Sequence, residues 1–279
     1  MEYAASDVSR TDLPIGVFDS GVGGISVLRE LVAWMPNENY IFFGDSRNAP
    51  YGTKTLREVQ ELTCADADYL IGMGVKALVV ACNTATSAAI QVLREKYPQM
   101  PVIGIEPALK PAVLVKTHPR VLVMATPMTL REKKFRNLMR QFEACADIVP
   151  LPCPGLVEYV ERGELQSAQL EQFLRGIFAE FEADSVDCVV LGCTHYPFVR
   201  RMIERVLGNQ VQIFDGGAGT ARETQRRLKE CGLLNPSTEK GTVILRNSAD
   251  SDEMNRLGFL LLNAEDRNLN KNEENIKEI

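Results

Sequence analysis

Short apolar runs rich in β-branched residues recur along the chain: PIGVFD from Pro14, YIFFGD from Tyr40, ALVVACN from Ala77, PVIGIE from Pro101, RVLVMAT from Arg120, DIVPLPC from Asp147, DCVVLGC from Asp187, QIFDG from Gln212 and TVILR from Thr242. Their shortness and unbroken apolar character predict strands buried on both faces. Between them, apolar residues at helical spacing predict helices over Ile25 to Met35, Thr55 to Met73, Ala85 to Tyr97, Thr129 to Ala144, Ser167 to Ala183 and Ala221 to Cys231. Strand and helix in alternation predict an α/β fold, with mainly parallel sheets flanked by helices.

The pattern contains a faint echo. VFDS at 17–20 is answered by VMATP at 123–127, and VVACNTA by VVLGCTH. By subtraction of residue numbers, 63 positions separate Asp19 from Cys82 and 68 separate Ala125 from Cys193. Two copies of one lobe would give this spacing, and so would two unrelated βα units. A length of 279 residues accommodates two lobes of ordinary size. The prolines at 107–111 mark a boundary, and after Gly219 too few elements remain to stand alone. The expected organisation is a mobile tail over 1–14, a first lobe over 15–107 with 217–262, a second lobe over 108–216, and a polar tail over 263–279. The two pseudo-symmetric lobes would face each other across a cleft.

Composition narrows the class. Hydrophobic residues at 45% and charged residues at 24% fit a globular protein with real cores. A net charge of −6 repels phosphate backbones, so nucleic acid is not expected as principal partner. The first residues carry no signal-peptide pattern and no later stretch keeps about 18 apolar residues, so a cytoplasmic protein without membrane contact is expected. Seven scattered cysteines without CxxC spacing, and only His118 and His195 beside them, predict reduced thiols and no metal site.

In an open parallel sheet, ligands collect beyond the carboxyl ends of the strands. The chemically unusual residues fall there: Asp19 and Ser20, the GDSRNAPYG loop with Pro50, Tyr51 and Gly52, Cys82-Asn83-Thr84, Thr126, and Cys193-Thr194-His195. Each cysteine is followed by hydrogen-bonding residues and then by a helix start, which would lower a thiol pKa. If the lobes face each other, the thiols confront one another at a separation suited to flanking one carbon. Asn83, Thr84 and Thr194 could offer helix N-termini to a carboxylate or simply cap their helices. Asp19 could hold an ammonium group, exchange a proton with a thiol, or cap a helix. An imidazolium at His195 would activate the neighbouring thiol. Gly21, Gly23 and Gly24 do not form GxGxxG, and no Walker sequence occurs. They read as a tight turn before a packed helix.

DSGVGG, GDSRNAPYG, ACNTATSAA, CPGLVEYVERGEL and GCTHYP, in this order from about Ile15 to about Thr224, resemble the glutamate racemases of the aspartate/glutamate racemase superfamily. The LRNSADSDE segment matches loosely and the tail beyond Asn263 does not match. The resemblance implies two α/β lobes with the site between them, no cofactor and no metal. It makes Cys82 and Cys193 the proton donor and acceptor. It also places substrate contacts at Asp19, Ser20, Tyr51, Gly52, Asn83, Thr84, Thr194 and His195, and brings Glu161 near the site. L- and D-glutamate become the expected substrate pair, D-glutamate for peptidoglycan the expected product, and a homodimer the expected assembly. Relatives acting on aspartate or hydantoins, a thiol redox protein and a binding module for acidic ligands remain competing classes; CNTA with GCTHYP favours glutamate, and the lack of CxxC disfavours redox.

Overall fold

The computed structural model of the chain describes residues 10–181, 185–208, 210–249 and 251–264. The polar tail expected from 263 onward lies almost wholly outside them. The strands are β1 (Ile15–Asp19), β2 (Tyr40–Gly44), β3 (Ala77–Val80), β4 (Val102–Gly104), β5 (Arg120–Ala125), β6 (Asp147–Pro152), β7 (Cys188–Leu191), β8 (Gln212–Asp215) and β9 (Val243–Asn247). The α-helices before the midpoint are α1 (Ile25–Trp34), α2 (Leu56–Gly72), α3 (Asn83–Lys96), α4 (Leu109–Ala112) and α5 (Pro127–Arg131). Those after it are α6 (Lys133–Arg140), α7 (Leu156–Glu161), α8 (Ala168–Ile177), α9 (Arg200–Leu207), α10 (Gly217–Glu230) and α11 (Asp252–Asn263).

Two parallel sheets form, ordered β4-β3-β1-β2-β9 and β6-β5-β7-β8. Read in the opposite direction, the second sheet is β8-β7-β5-β6, the arrangement of β4-β3-β1-β2. The faint sequence echo is therefore a shared topology: β3 corresponds to β7, and the cysteine that follows each occupies the equivalent place. The fold is the α/β arrangement of two parallel sheets flanked by helices that the hydrophobic pattern predicts.

Alternation along the strands divides the core. Ile15 and Val17 of β1 with Ala77 and Val79 of β3 join an apolar cluster that also contains Leu122 and Met124 of β5 and Val189 of β7. Apolar packing thus runs from one sheet to the other. Phe18, Leu78 and Val80 face a separate cluster closed by α2 and α3, while Val121, Val123 and Val190 face a third closed by Phe135 of α6. Burial on both faces is what unbroken apolar strands require.

One expected helix divides. The stretch from Thr129 to Ala144 becomes α5 and α6, separated by extended backbone at Glu132 with φ −69° and ψ 139°. Helix α5 turns Thr129 inward to the hydroxyls of Thr84 and Thr126, whereas α6 sinks Phe135 into the outer core. One straight helix could not aim both. Of the segment read as a mobile tail, residues 1–9 lie outside the described residues. Within the segment read as a mobile tail, Thr11 accepts a hydrogen bond from Lys76 and the Asp12 carbonyl accepts one from Asn39. No helix among the described residues is long and apolar enough to cross a membrane.

The Lys76 ammonium and Glu38 carboxylate are buried 2.5 Å apart, and Glu38 also accepts from the Asn235 backbone N–H at 2.8 Å. The pair ties the chain start, the loop before β2 and the segment before β9 together. Lys76→Met is expected to lower unfolding free energy by about 3–5 kcal/mol, because it leaves a buried charge without its partner. Adding Glu38→Gln should recover part of the loss, as read from denaturant midpoints.

Candidate active site

At the carboxyl end of β3, Cys82 is the N-cap of α3. Its Sγ accepts from the Ala85 N–H at 3.4 Å and lies 3.5 Å from Ser20 Oγ. Its helix does not produce the low pKa expected from sequence. Burial pushes the Cys82 thiol up to about 12, the Asp19 charge adds to the rise, and the hydrogen bonds with Ala85 and Ser20 only partly oppose it. Cys193 is the weakest contributor to the same rise. Beyond Cys193, by contrast, no α-helix starts directly: His195 caps the 3-10 turn Tyr196–Val199.

The surroundings of Cys193 are built by an ion pair. His195 Nδ1 lies 3.7 Å from Cys193 Sγ, and Nε2 lies 2.6 Å from Glu161 Oε1. Burial works against charge on the imidazole, but Cys193 and Glu161 outweigh it and raise the His195 pKa well above its usual value. The same pairing overrides burial at Glu161 and holds its carboxyl below the usual range. Cys193 and Glu161 thus both favour the charged form of the His195 imidazole.

Glu161, at the end of α7, is also gripped from the first sheet. The Val22 N–H donates to Oε1 at 2.8 Å, Ser46 Oγ to Oε2 at 3.2 Å, and Asn247 Nδ2 to Ser46 Oγ at 2.9 Å. This explains the glycines of DSGVGG. A Cβ on Gly21 would fall inside the Glu161 carboxylate, and one on Gly23 inside the His195 ring. The turn lacks side chains because two side chains from the other half of the molecule occupy their places.

Asp19 is fully buried, receiving Thr194 Oγ1 at 3.0 Å and the Gly21 N–H at 3.1 Å. Burial raises its pKa while the positive charge on His195 opposes the rise. Thr84 from α3 meets Thr126 and Thr129 from α5, with hydroxyl separations of 3.1, 3.1 and 2.9 Å. Gly52 lies against Thr126, where a Cβ would come 2.7 Å from the threonine Cβ. The Tyr51 hydroxyl reaches Asp45 and Asp66, and Pro50, the residue before it, follows Ala49 across a cis peptide. Asn83 is 4% exposed, yet neither Nδ2 nor Oδ1 finds a partner among the described residues. Two unmet polar atoms in a closed site cost about 1–3 kcal/mol each, a cost that a polar ligand would relieve.

The expected residues thus converge from the ends of β1, β3, β5 and β7. Sequence reasoning did not single out Ser46, Asn247, Asp45, Asp66 or Thr129. Asp66 left a signal, since it shares the buried stripe of α2 with Val59, Thr63, Ala67 and Leu70, an odd place for a carboxylate. Cys64, Cys145, Cys188 and Cys231 are free thiols elsewhere, while the free thiol of Cys153 shares an apolar cluster with Cys193. A cavity of about 410 Å³ bordered by Arg94, Glu106, Lys110, Asp215 and Glu223 has neither Cys82 nor Cys193 in its wall.

Two buried thiols, Cys82 and Cys193, thus follow equivalent strands of a duplicated α/β framework. The chain belongs to the Asp/Glu/hydantoin racemase family, whose model matches residues 15–224, and it is an isomerase. It is 52% identical over 243 residues to a glutamate racemase of Clostridium novyi (strain NT), covering 87% of this chain and 94% of that protein. The Thermus thermophilus glutamate racemase, solved with β-chloro-D-alanine, is 35% identical with a TM-score of 0.77, over 90% of this chain and 93% of that one. The Francisella tularensis enzyme, solved with D-glutamate, is 29% identical with a TM-score of 0.79, over 92% and 96%.

Gly23→Ala is expected to reduce kcat/KM by about 100-fold, because a displacement of His195 by about 1 Å disturbs a near-attack arrangement. The same overlap strains the buried His195–Glu161 pair that joins the two sheets, so the melting temperature should fall as well. Steady-state kinetics and a thermal melt on one sample check both halves.

Proposed function

We propose that the chain is a cofactor-independent glutamate racemase that interconverts L- and D-glutamate by proton transfer between Cys193 and Cys82. The observation that carries this reading is the pair of buried thiols at equivalent strand ends, with the unpartnered Asn83 amide beside Cys82. The names of the relatives, and the D-glutamate in the Francisella structure, support glutamate as substrate.

The α proton of an amino acid is very weakly acidic, so its removal needs a thiolate in a dry site and donors aimed at the carboxylate. The His195 imidazolium, fixed by Glu161, favours the Cys193 thiolate. That thiolate takes the α proton of L-glutamate, and the electron pair left on carbon delocalises into the substrate carboxylate. Asn83, with its amide free, and the Thr84 hydroxyl are the donors suited to meet the growing charge. The Cys82 thiol, kept protonated by burial and by Asp19, then delivers a proton to the opposite face. D-glutamate results, with a thiol at Cys193 and a thiolate at Cys82, and the reverse reaction exchanges the roles. Asp19, buried and acidic, is suited to hold the substrate ammonium, with Ser20 and the Pro50-Tyr51-Gly52 turn closing the wall. General acid–base catalysis supplies about 10²- to 10⁴-fold, so the aligned donors must contribute the remainder.

The product would serve peptidoglycan synthesis from the cytoplasm, and the working assembly would be a homodimer. Light scattering should give about twice the 31.0 kDa chain mass; a concentration-independent monomer would remove the dimer from this reading.

Either Cys82→Ala or Cys193→Ala should abolish racemisation almost completely, with no further loss in the double variant. The enantiomers are isoenergetic, so kcat/KM must fall equally in both directions. In deuterated solvent the product enantiomer should gain label faster than recovered substrate. Retention by either variant of more than about a tenth of wild-type kcat/KM, a loss under about 1.4 kcal/mol, would exclude the two-thiol route.

A further inference from the structure

Tyr51, Asp45 and Asp66 form a buried cluster of acids, with exposures of 1%, 2% and 6%. The Tyr51 hydroxyl lies 2.7 Å from Asp45 Oδ2 and 2.8 Å from Asp66 Oδ2. A phenol carries one hydrogen and can donate to only one of them. Asn48 Nδ2 lies 3.1 and 3.0 Å from the two Asp45 oxygens, which marks Asp45 as the carboxylate and the receiver of the tyrosine proton. No donor other than Tyr51 reaches the Asp66 carboxyl among the described residues. The 2.8 Å contact at Asp66 would then set two acceptors against each other unless Asp66 carries a proton of its own.

We propose that Asp66 is a positioning residue: as a neutral acid it donates to the Tyr51 oxygen and holds the Pro50-Tyr51-Gly52 turn against Thr126 across the cleft. The charges around it agree. Burial raises the Asp66 pKa to about 7, Asp45 and Asp19 add to the rise, and the hydrogen bond with Tyr51 opposes it. From the elements packed on α2, the titratable groups acting on Asp66 are Asp45 after β2, Tyr51 of the turn and Asp19 at the end of β1, all acidic. Loss of the Asp66 proton leaves the phenol oxygen facing a carboxylate and puts further negative charge into a buried acidic patch. The turn is pushed off its seat. Gly52, which packs on Thr126, moves with it, and Thr126 meets Thr84 beside Asn83. Asp66 touches no substrate and acts through the turn.

The inference rests on the proposed racemase activity, and two measurements keep its failure distinct from failure of that activity. Wild type, Asp66→Asn and Asp66→Ala are compared for KM and kcat with L-glutamate from about pH 6 to about pH 8.5, on either side of the perturbed carboxyl. An asparagine amide donates to the phenol oxygen at every pH. Wild-type KM should rise about 10-fold across the range with kcat changing less, Asp66→Asn should keep a flat KM, and Asp66→Ala a high one throughout. A KM for Asp66→Asn that rises in parallel with wild type, or a wild-type KM at pH 6 for Asp66→Ala, overturns the proposal. Stability gives a readout without turnover. The folded-state pKa lies above the ordinary 3.8, so this stabilisation is complete below that value and is lost as pH rises towards about 7. Over that window wild type should lose melting temperature relative to Asp66→Asn, and equal slopes overturn the proposal even if no racemisation is found. Should Asp66→Asn fail to fold, Tyr51→Phe removes the accepting oxygen and must give a high KM that no longer rises with pH; a KM that still rises counts against the proposal.

Discussion

The Glu161 carboxylate is the junction on which the rest of this molecule depends. One oxygen takes the His195 imidazolium at 2.6 Å and the Val22 backbone at 2.8 Å, and the other takes Ser46 at 3.2 Å. The negative charge thus fixes the imidazole that faces a thiol and at the same time clasps the first sheet to the second. A buried ion pair is justified only when further hydrogen bonds satisfy its remaining sites, and here those bonds come from the opposite half of the molecule. Side-chain-free backbone at Gly21 and Gly23 is the steric condition for that approach.

The two halves share a topology but not a chemistry. Cys82 is surrounded by neutral hydrogen-bonding groups and the acidic Asp19, and burial keeps it a thiol. Cys193 sits beside a cation. The duplicated strand ends therefore place their thiols in unequal electrostatic surroundings, His195 beside Cys193 and Asp19 acting on Cys82. The framework provides opposed positions through duplication, while a few side chains outside the duplicated pattern, His195 and Glu161 above all, make the positions differ.

Much of this was legible in the sequence. Unbroken apolar runs marked the strands, and the strand ends marked where reactive residues gather, because a parallel sheet leaves no other common mouth. The VVACNTA and VVLGCTH pair showed the duplication, although a single pair of similar strings could not separate it from coincidence. Local patterns failed where distant atoms decide. Nothing beside Gly21 or Gly23 announces that side chains more than 130 positions away fill their space, and Asn247 lies in the loosely matching LRNSADSDE stretch. The expected fall in thiol pKa failed at Cys82 because a helix terminus is a weaker influence than full burial beside Asp19. The division of the helix near Glu132 depends on Thr129 being drawn to Thr84, a contact that periodicity does not encode.

The strand β9 has a bearing on how the protein is made. It pairs with β2 along Tyr40–Gly44, so the edge of the first sheet is completed by residues 243–247. The second sheet needs nothing beyond Asp215. On a ribosome the half encoded in the middle of the message can finish first, while the half that begins the chain waits with an open strand edge. A growing chain in that condition presents unpaired backbone groups along β2, the feature most prone to wrong pairing. From Gly44 at the end of β2 to Val243 at the start of β9, protection of that edge falls to whatever meets the nascent chain.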